Sequence, residues 1–428
     1  MKTSAYNISV PLVDNWVLVF NSFSKSFLCL TTTIWKRCFN EDSSVKMENL
    51  QTSDFETLRQ NGFVIEDGVD EFADALSLRM KSRLNKRLYH IIVNPTLDCN
   101  LRCWYCYETH KTGSTISQEN INAILKHIEL KHLEDNFEAL ELSFFGGEPF
   151  LKASIISQLI EDVSNLCRSK NINLKISFTT NGTIMPPKIL AVLKDKNVSF
   201  QITLDGNQDQ HNLIRGFKTL HNTNSYDVIW KNIKKLYEHI SQFHLCLRIN
   251  FDRNTFVDHK QLAEQILSLE RNKLTVSLQK VWQVDSSSIN YEDLFEFVNT
   301  LLDHNVNVRF LELSNGATTC YADRINSVVI NYDGKVYKCT ARDFNGSNSI
   351  GELLPTGDII WDYTRLQQYS YSPVPLKCKK CKLFPSCMGT CSQSIIENGD
   401  DVPCIIKKPF TIEDYVLFSY KLKSMQKL

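Results

Sequence analysis

From Tyr89 to about Asn305, short apolar runs alternate with helical patterns so regularly that few architectures accommodate them. The runs Tyr89–Val93, Leu140–Phe145, Leu174–Phe178, Val198–Leu204, Phe243–Phe251 and Leu274–Val281 read as six strands. Between them apolar residues recur at helical spacing, as in Ile121, Ile124, Leu125 and Ile128, or in Ile229, Trp230, Ile233, Leu236 and Tyr237. Repeated strand-helix units predict an α/β fold, a parallel sheet with its helices outside. Six units are too few to close an eight-stranded barrel. The expectation is therefore an open, partial (β/α)6 barrel of TIM type with its site at the C-terminal ends of the strands.

The loops at those ends carry the chemistry. After the first strand comes Cys99-Asn-Leu-Arg-Cys103-Trp-Tyr-Cys106. Three cysteines can hold a [4Fe–4S] cluster and leave one iron open, although a zinc knuckle would use the same residue types. The second strand leads into Gly146-Gly147-Glu148-Pro149, the third into Thr179-Thr180-Asn181-Gly182, and the fourth into Thr203-Leu204-Asp205-Gly206, with His211 and Arg215 beyond. Lys+Arg and Asp+Glu both count 48, which removes a global electrostatic case for nucleic acid or an anionic membrane as partner. No apolar run approaches the ~20 residues of a membrane span and no signal-peptide pattern opens the chain, so a cytoplasmic protein is expected. In that reducing compartment, 14 cysteines argue for metal ligation over disulfides.

Taken in order along successive strands, these motifs resemble those of radical SAM enzymes. The resemblance implies that Cys99, Cys103 and Cys106 bind a [4Fe–4S] cluster whose open iron chelates S-adenosylmethionine. One electron then splits that cofactor into methionine and a 5′-deoxyadenosyl radical, which abstracts hydrogen from the substrate. By the same likeness Gly146, Gly147 and Glu148 meet the cofactor's amino group, and Thr180 and Asn181 belong to its binding loops. Thr203 and Asp205 stand at the ribose, with Thr where the family has Ser, and Tyr105 at the adenine. Arg215 is expected on the carboxylate, a task suited to the fixed fork of a guanidinium. An electron donor such as flavodoxin or ferredoxin is implied.

A second cysteine set follows: Cys320, Cys339, Cys378, Cys381, Cys387, Cys391 and Cys404. Asp333-Gly334 makes a hairpin turn between Ser327–Asn331 and Lys335–Lys338. Gly334 five residues before Cys339, then Cys-x2-Cys-x5-Cys-x3-Cys and a late Cys, resembles the SPASM extension with its two auxiliary [4Fe–4S] clusters. That likeness assigns Cys378, Cys381, Cys387 and Cys404 to one cluster, and Cys320, Cys339 and Cys391 to another that lacks a fourth cysteine and could accept a substrate thiolate. Structural zinc is the alternative. Cys29, Cys38, Cys167 and Cys246 have no partner at ligand spacing, and Cys167, within a helix, and Cys246, within a strand, read as small core residues.

At the N-terminus, Tyr6–Pro11 and Trp16–Phe20 read as a hairpin, Phe27–Leu30 as a third strand, and a short helix from Asp54 ends at Asn61-Gly62 before a further strand. This winged-helix-like order is similar to the leader-recognition module of peptide-modifying radical SAM enzymes; a cap that binds nothing is the other reading. A helix over 71–84 links it onward. The expected division is a cap at 1–88, a radical SAM partial barrel at 89–305, a SPASM domain at 306–410 and a closing helix within 411–428. The family likeness implies a maturase of ribosomally made peptides whose partner is a precursor peptide and whose product is an oxidative cross-link such as a thioether. Formylglycine formation, as in anaerobic sulfatase maturation, is the nearest alternative. Against it, Thr340 follows Cys339 where those enzymes place an aspartate, and Asp343 lies four residues past that cysteine. A non-catalytic iron–sulfur carrier or scaffold is the alternative of another class.

Overall fold

The computed structural model describes residues 1–39, 46, 51–219, 224–311, 313 and 319–425. The last three residues of the expected closing segment and most of 40–50 within the expected cap lie outside the described residues. Two compact units emerge, one of Met1–Leu84, Leu311–Arg324 and Gln368–Leu428, the other of Asn85–Phe310 and Ile325–Gln367.

In the first unit the chain opens with β1 (Lys2–Thr3), β2 (Asn7–Pro11), β3 (Trp16–Asn21) and β4 (Ser26–Thr31), followed by α1 (Thr32–Cys38), α2 (Thr52–Gln60), β5 (Val64–Ile65) and α3 (Glu71–Arg83). Strands β2, β3 and β4 form an antiparallel sheet in that order. The β2–β3 turn places Asp14 and Asn15 at φ 57° and 62°, a left-handed conformation that Asp and Asn tolerate better than most residues. After Asn61-Gly62 the chain re-enters a strand as expected, and β5 pairs with β1. Val17, Val19, Phe39, Leu58, Phe63 and Val64 make the core beneath. Asp70 caps α3 by accepting from the backbone N–H of Phe72 and Ala73.

The second unit contains the six expected strands as β6 (Leu88–Asn94), β7 (Ala139–Phe144), β8 (Asn173–Thr180), β9 (Val198–Leu204), β10 (Phe243–Phe251) and β11 (Leu274–Lys280). Two further parallel strands flank them: β12 (Asn307–Arg309) beside β11, and β13 (Ser327–Asn331) beside β6. The hairpin expected at Asp333-Gly334 is present as β13 and β14 (Lys335–Tyr337), but its first strand continues the parallel sheet. Strands β15 (Gly351–Leu353) and β16 (Ile359–Trp361) extend it antiparallel, giving the order β12-β11-β10-β9-β8-β7-β6-β13-β14-β15-β16.

Strand alternation sorts the side chains. Phe144, Phe178 and Phe200 stand in register on β7, β8 and β9 and stack at 5.2 and 5.3 Å between centroids, buried on one face of the sheet. Such a ladder adds about 0.5–1.5 kcal/mol per pair beyond its area burial. Their immediate neighbours Phe145, Thr179 and Gln201 turn to the other face and line a cavity there.

Back in the first unit, the cysteine-rich tail forms α12 (Leu376–Lys379), α13 (Phe384–Cys387), α14 (Ser392–Asn398) and α15 (Ile412–Met425), helices numbered on from the eight between α3 and α12. Phe384 shares a core with Tyr6 and Ala75, and Lys25 Nζ donates to Ser386 Oγ at 2.7 Å, so N-terminal cap and tail are folded together. Among the described residues, no helix is long and apolar enough to cross a membrane.

Candidate active site

A cavity of about 180 Å³ lies at the C-terminal ends of the parallel strands. Cys99, Cys103 and Cys106 line it together with Tyr105, Gly146, Gly147, Thr180, Asn181, Thr203 and Arg215. Glu148 and Asp205 do not reach it; both are fully buried behind its wall.

The cysteine loop is held by backbone. Arg102 N–H donates to Gly216 carbonyl at 3.0 Å and Lys218 N–H to Asn100 carbonyl at 2.9 Å, while Glu148 N–H donates to Asp98 carbonyl at 2.8 Å. The Gly-Gly turn makes this approach possible: a Cβ on Gly146 would come within 2.2 Å of Thr96 carbonyl oxygen, and one on Gly147 within 2.2 Å of Asp98 carbonyl oxygen. The glycines thus serve first to seat one loop on the other. Glu148 acts as a clamp. Its Oε1 accepts from Phe150 N–H at 3.0 Å and Thr180 Oγ1 at 2.8 Å, and its Oε2 from Asn181 N–H at 2.8 Å. Asn181 in turn donates Nδ2 to Asn100 Oδ1 at 2.8 Å, inside the cysteine loop.

Tyr105, Asp205 and Arg215 form a network. The Tyr105 hydroxyl donates to Asp205 Oδ2 and accepts from Arg215 Nη1 at 2.7 Å and from Asn250 Nδ2 at 3.0 Å. Arg215 lies 3.5 Å from Asp205, and its Nε is buried without a partner among the described residues. Asn250 was not foreseen from the sequence, nor were the cavity residues Gln201, Arg248, Trp282 and Gln283. The available signal was alternation, since Gln201 and Asn250 each sit between buried apolar residues on a strand. At the rim Tyr107 stacks on Trp282 at 5.5 Å, and Arg342 lies over the Trp282 ring at 5.8 Å.

Burial sets the titration of the site. It pushes the Cys99 thiol up to about 12, with the charges of Glu148 and Cys103 adding to the effect, and it lifts the Glu148 carboxyl to about 7 against the hydrogen bonds it accepts. A thiol so placed stays protonated unless a metal cation takes the proton's place. Among the described residues no three His, Cys, Asp or Glu converge on the position of one metal ion. A cluster makes a different demand, because each thiolate binds a separate iron. Three cysteines around a cavity therefore fit a cluster, and the unpartnered Arg215 Nε fits an anionic group beside it.

A radical SAM superfamily model matches residues 93–265, the stretch that holds these loops. This enzyme carries a radical SAM domain. Its cofactors are a [4Fe–4S] cluster and S-adenosylmethionine. The radical SAM cyclopropyl synthase TigE of Paramaledivibacter caminithermalis is 25% identical over 90% of this enzyme and 84% of its own length. The cysteine-type anaerobic sulfatase-maturating enzyme of Clostridium novyi is 23% identical over 79% of this enzyme and 98% of its own length. Among solved structures, anSMEcpe with bound AdoMet and a peptide matches with TM-score 0.56 at 18% identity, covering 80% of this enzyme and all (100%) of that chain. Streptococcus suis SuiB bound to precursor peptide SuiA matches with TM-score 0.51 at 15% identity, over 94% of this chain and 98% of that one. These two likenesses show a shared fold.

The enzyme has a second thiol cluster in its other unit. Burial, then the neighbouring charges of Cys381, Cys378 and Cys404, push the Cys387 thiol up to about 12. Cys378 likewise feels Cys381 and Cys404, so the four stand within electrostatic reach of one another. Cys320 and Cys391 belong to the same unit, whereas Cys339 belongs to the unit that holds the parallel sheet.

Proposed function

We propose that this enzyme works in the cytoplasm on a ribosomally made precursor peptide, abstracting hydrogen and leaving an oxidative cross-link such as a thioether. The observation that carries the reading is the shared cavity, where three cysteines meet the loops of successive strands. Two structural neighbours described with a bound peptide, one of them a precursor peptide, support it.

When bound, S-adenosylmethionine on the cluster supplies the radical that takes the substrate hydrogen. Cys99, Cys103 and Cys106 would hold that cluster, and Arg215 would turn its unpartnered Nε to the cofactor carboxylate. Tyr105 and Asp205 keep the guanidinium in place through the network above. Glu148 and Asn181 brace the loops that carry Thr180 and Cys99, while Gly146, Gly147 and Thr203 shape the wall. Tyr107, Trp282 and Arg342 offer an aromatic and cationic rim on which a peptide side chain can rest. The precursor's leader would add to the edge of β4, whose residues are partly exposed, because those of β2 are mostly buried. Cys378, Cys381, Cys387 and Cys404 would hold one auxiliary cluster, and Cys320, Cys339 and Cys391 the other. A flavodoxin or ferredoxin would deliver electrons.

Formylglycine formation is the second reading, favoured by the sulfatase-maturating relative. Against it, Asp343 is already engaged: its carboxylate accepts from Thr109 N–H at 3.1 Å and from Thr109 Oγ1 at 2.9 Å. Anaerobic reconstitution should load about twelve irons per chain. Replacing Cys99, Cys103 and Cys106 by Ala should remove about a third of the iron and all cofactor cleavage. Mass spectrometry of the precursor should show two hydrogens lost, whereas formylglycine made from cysteine would cost it the sulfur. A colourless, zinc-loaded protein would end the proposal.

A further inference from the structure

Two arginines on α3 are buried, Arg79 at 4% exposure and Arg83 at 2%. They stand one helical turn apart and continue the stripe begun by Phe72, Ala75 and Leu76. A guanidinium has five N–H donors, and leaving such donors unpaired in an interior is costly. Arg83 meets part of that need by donating Nη2 to the Tyr369 carbonyl and to Ser392 Oγ at 3.2 Å. Arg79 does not. Its one bond runs from Nη1 to the Ser372 carbonyl at 3.3 Å, and its Nε and Nη2 are buried without partners among the described residues.

The surroundings show what those donors face. Asp323 lies within electrostatic reach of both arginines, yet its Oδ1 accepts Ser392 N–H at 2.7 Å and it makes no hydrogen bond to Arg79 among the described residues. Cys378, whose charge Arg79 also feels, packs on the core of Tyr6, Ala75 and Phe384, as do Phe72 and Leu76. Cys378 belongs to the four thiols that stand within electrostatic reach of one another. A [4Fe–4S] cluster with four thiolates is anionic, and hydrogen bonds to its sulfurs and nearby charge set its reduction potential.

We propose that Arg79 donates its Nε–H and Nη2–H to the iron–sulfur cluster held by Cys378, Cys381, Cys387 and Cys404, and so raises that cluster's reduction potential. The inference rests on the reading that these four cysteines bind such a cluster. It makes Arg79 a tuning residue contributed by the N-terminal segment, which thereby completes a redox site built by the distant tail. A sulfur left to water or apolar contacts alone would favour the oxidised, less negative cluster. A buried cation with two aimed donors favours the form carrying one more electron.

The test is a redox titration followed by electron paramagnetic resonance. It uses the full chain with Cys99, Cys103, Cys106, Cys320, Cys339 and Cys391 replaced by Ala, so that one cluster remains. Arg79→Met should lower the midpoint potential at unchanged iron per chain, and Arg79→Lys, which keeps the charge and loses the fork, should fall between. Equal potentials and spectra in the Met variant and its parent would overturn the inference. If the Met variant does not fold, Arg79→Lys decides by the same criterion: a lowered potential supports the role, and an unchanged one overturns it. A chain that binds no iron would instead refute the cluster assignment beneath the inference, and the absent signal distinguishes that outcome from an unchanged potential.

Discussion

The two sets of cysteines differ in what holds them. Cys99, Cys103 and Cys106 sit on a loop pinned by backbone bonds to the 216–218 segment, which follows the helix Gln208–Ile214, and to the Gly-Gly turn, which follows β7 of the extended sheet. Cys378, Cys381 and Cys387 sit on or beside α12 and α13, helices of four residues each, and Cys404 lies in a stretch without helix or strand. Helices so short do not persist by their own hydrogen bonds. The first site is shaped by protein before any metal arrives. The second has its geometry completed by what it binds, as metal-dependent small domains do.

The largest expected effect follows directly. Cys378→Ser with Cys381→Ser should leave the tail open to limited proteolysis and remove the cooperative melting of the unit that contains it. Cys99→Ala should leave the melting of the parallel-sheet unit unchanged. Equal protease resistance of both variants would break the comparison. Of intermediate size is Arg215→Ala, which removes a charged donor from a site that exists without metal. Loss of such a bond corresponds to about 1.5–3 kcal/mol, so cofactor affinity measured by calorimetry should fall roughly 10- to 150-fold at constant iron content. An iron loss alongside it would show that the first site also depends on its ligand for shape.

The smallest effect sharpens the picture of the preformed site. His211 is fully buried, accepts Asp205 N–H on Nδ1 at 3.2 Å and has no partner on Nε2 among the described residues. Burial, helped by the Arg215 charge, holds its pKa well below the usual 6.5. Above about pH 6.5 folded and unfolded chains both carry it neutral, so its contribution to stability is complete there. Below that pH the unfolded chain takes up a proton that the folded one refuses, and stability falls by up to about 1.4 kcal/mol per pH unit. Glu148, lifted to about 7, works in the opposite sense over the same window, so the readout is differential: between pH 7 and 5.5 the urea midpoint of the metal-free parent should fall relative to that of His211→Gln. Identical slopes would mean that the pocket around His211 opens to water.

Much of the parallel-sheet unit was written locally. Apolar runs of strand length separated by amphipathic helices announce β6 to β11, and Asp333-Gly334 announces the β13–β14 hairpin, because period and turn chemistry act between near neighbours in sequence. The same holds for α3, whose cap residue Asp70 and apolar stripe lie within one segment. Cysteine spacing likewise singled out Cys99, Cys103 and Cys106, which line one cavity, because residues of one short loop stay together in the fold.

Other features depend on partners that no local pattern names. Tyr105 meets Asp205, Arg215 and Asn250 across sequence separations of 100, 110 and 145 residues. Glu148, which its motif suggests as a ligand contact, spends its carboxylate on Phe150, Thr180 and Asn181. Strand β13 joins the parallel sheet because β6 offers an open edge, and nothing in the β13 residues shows which edge is free. Arg79 reads in sequence as an ordinary helical arginine. Only the folded unit buries it beside Cys378, because the burial of a charge and the supply of its partners are decided by residues brought together from opposite ends of the chain.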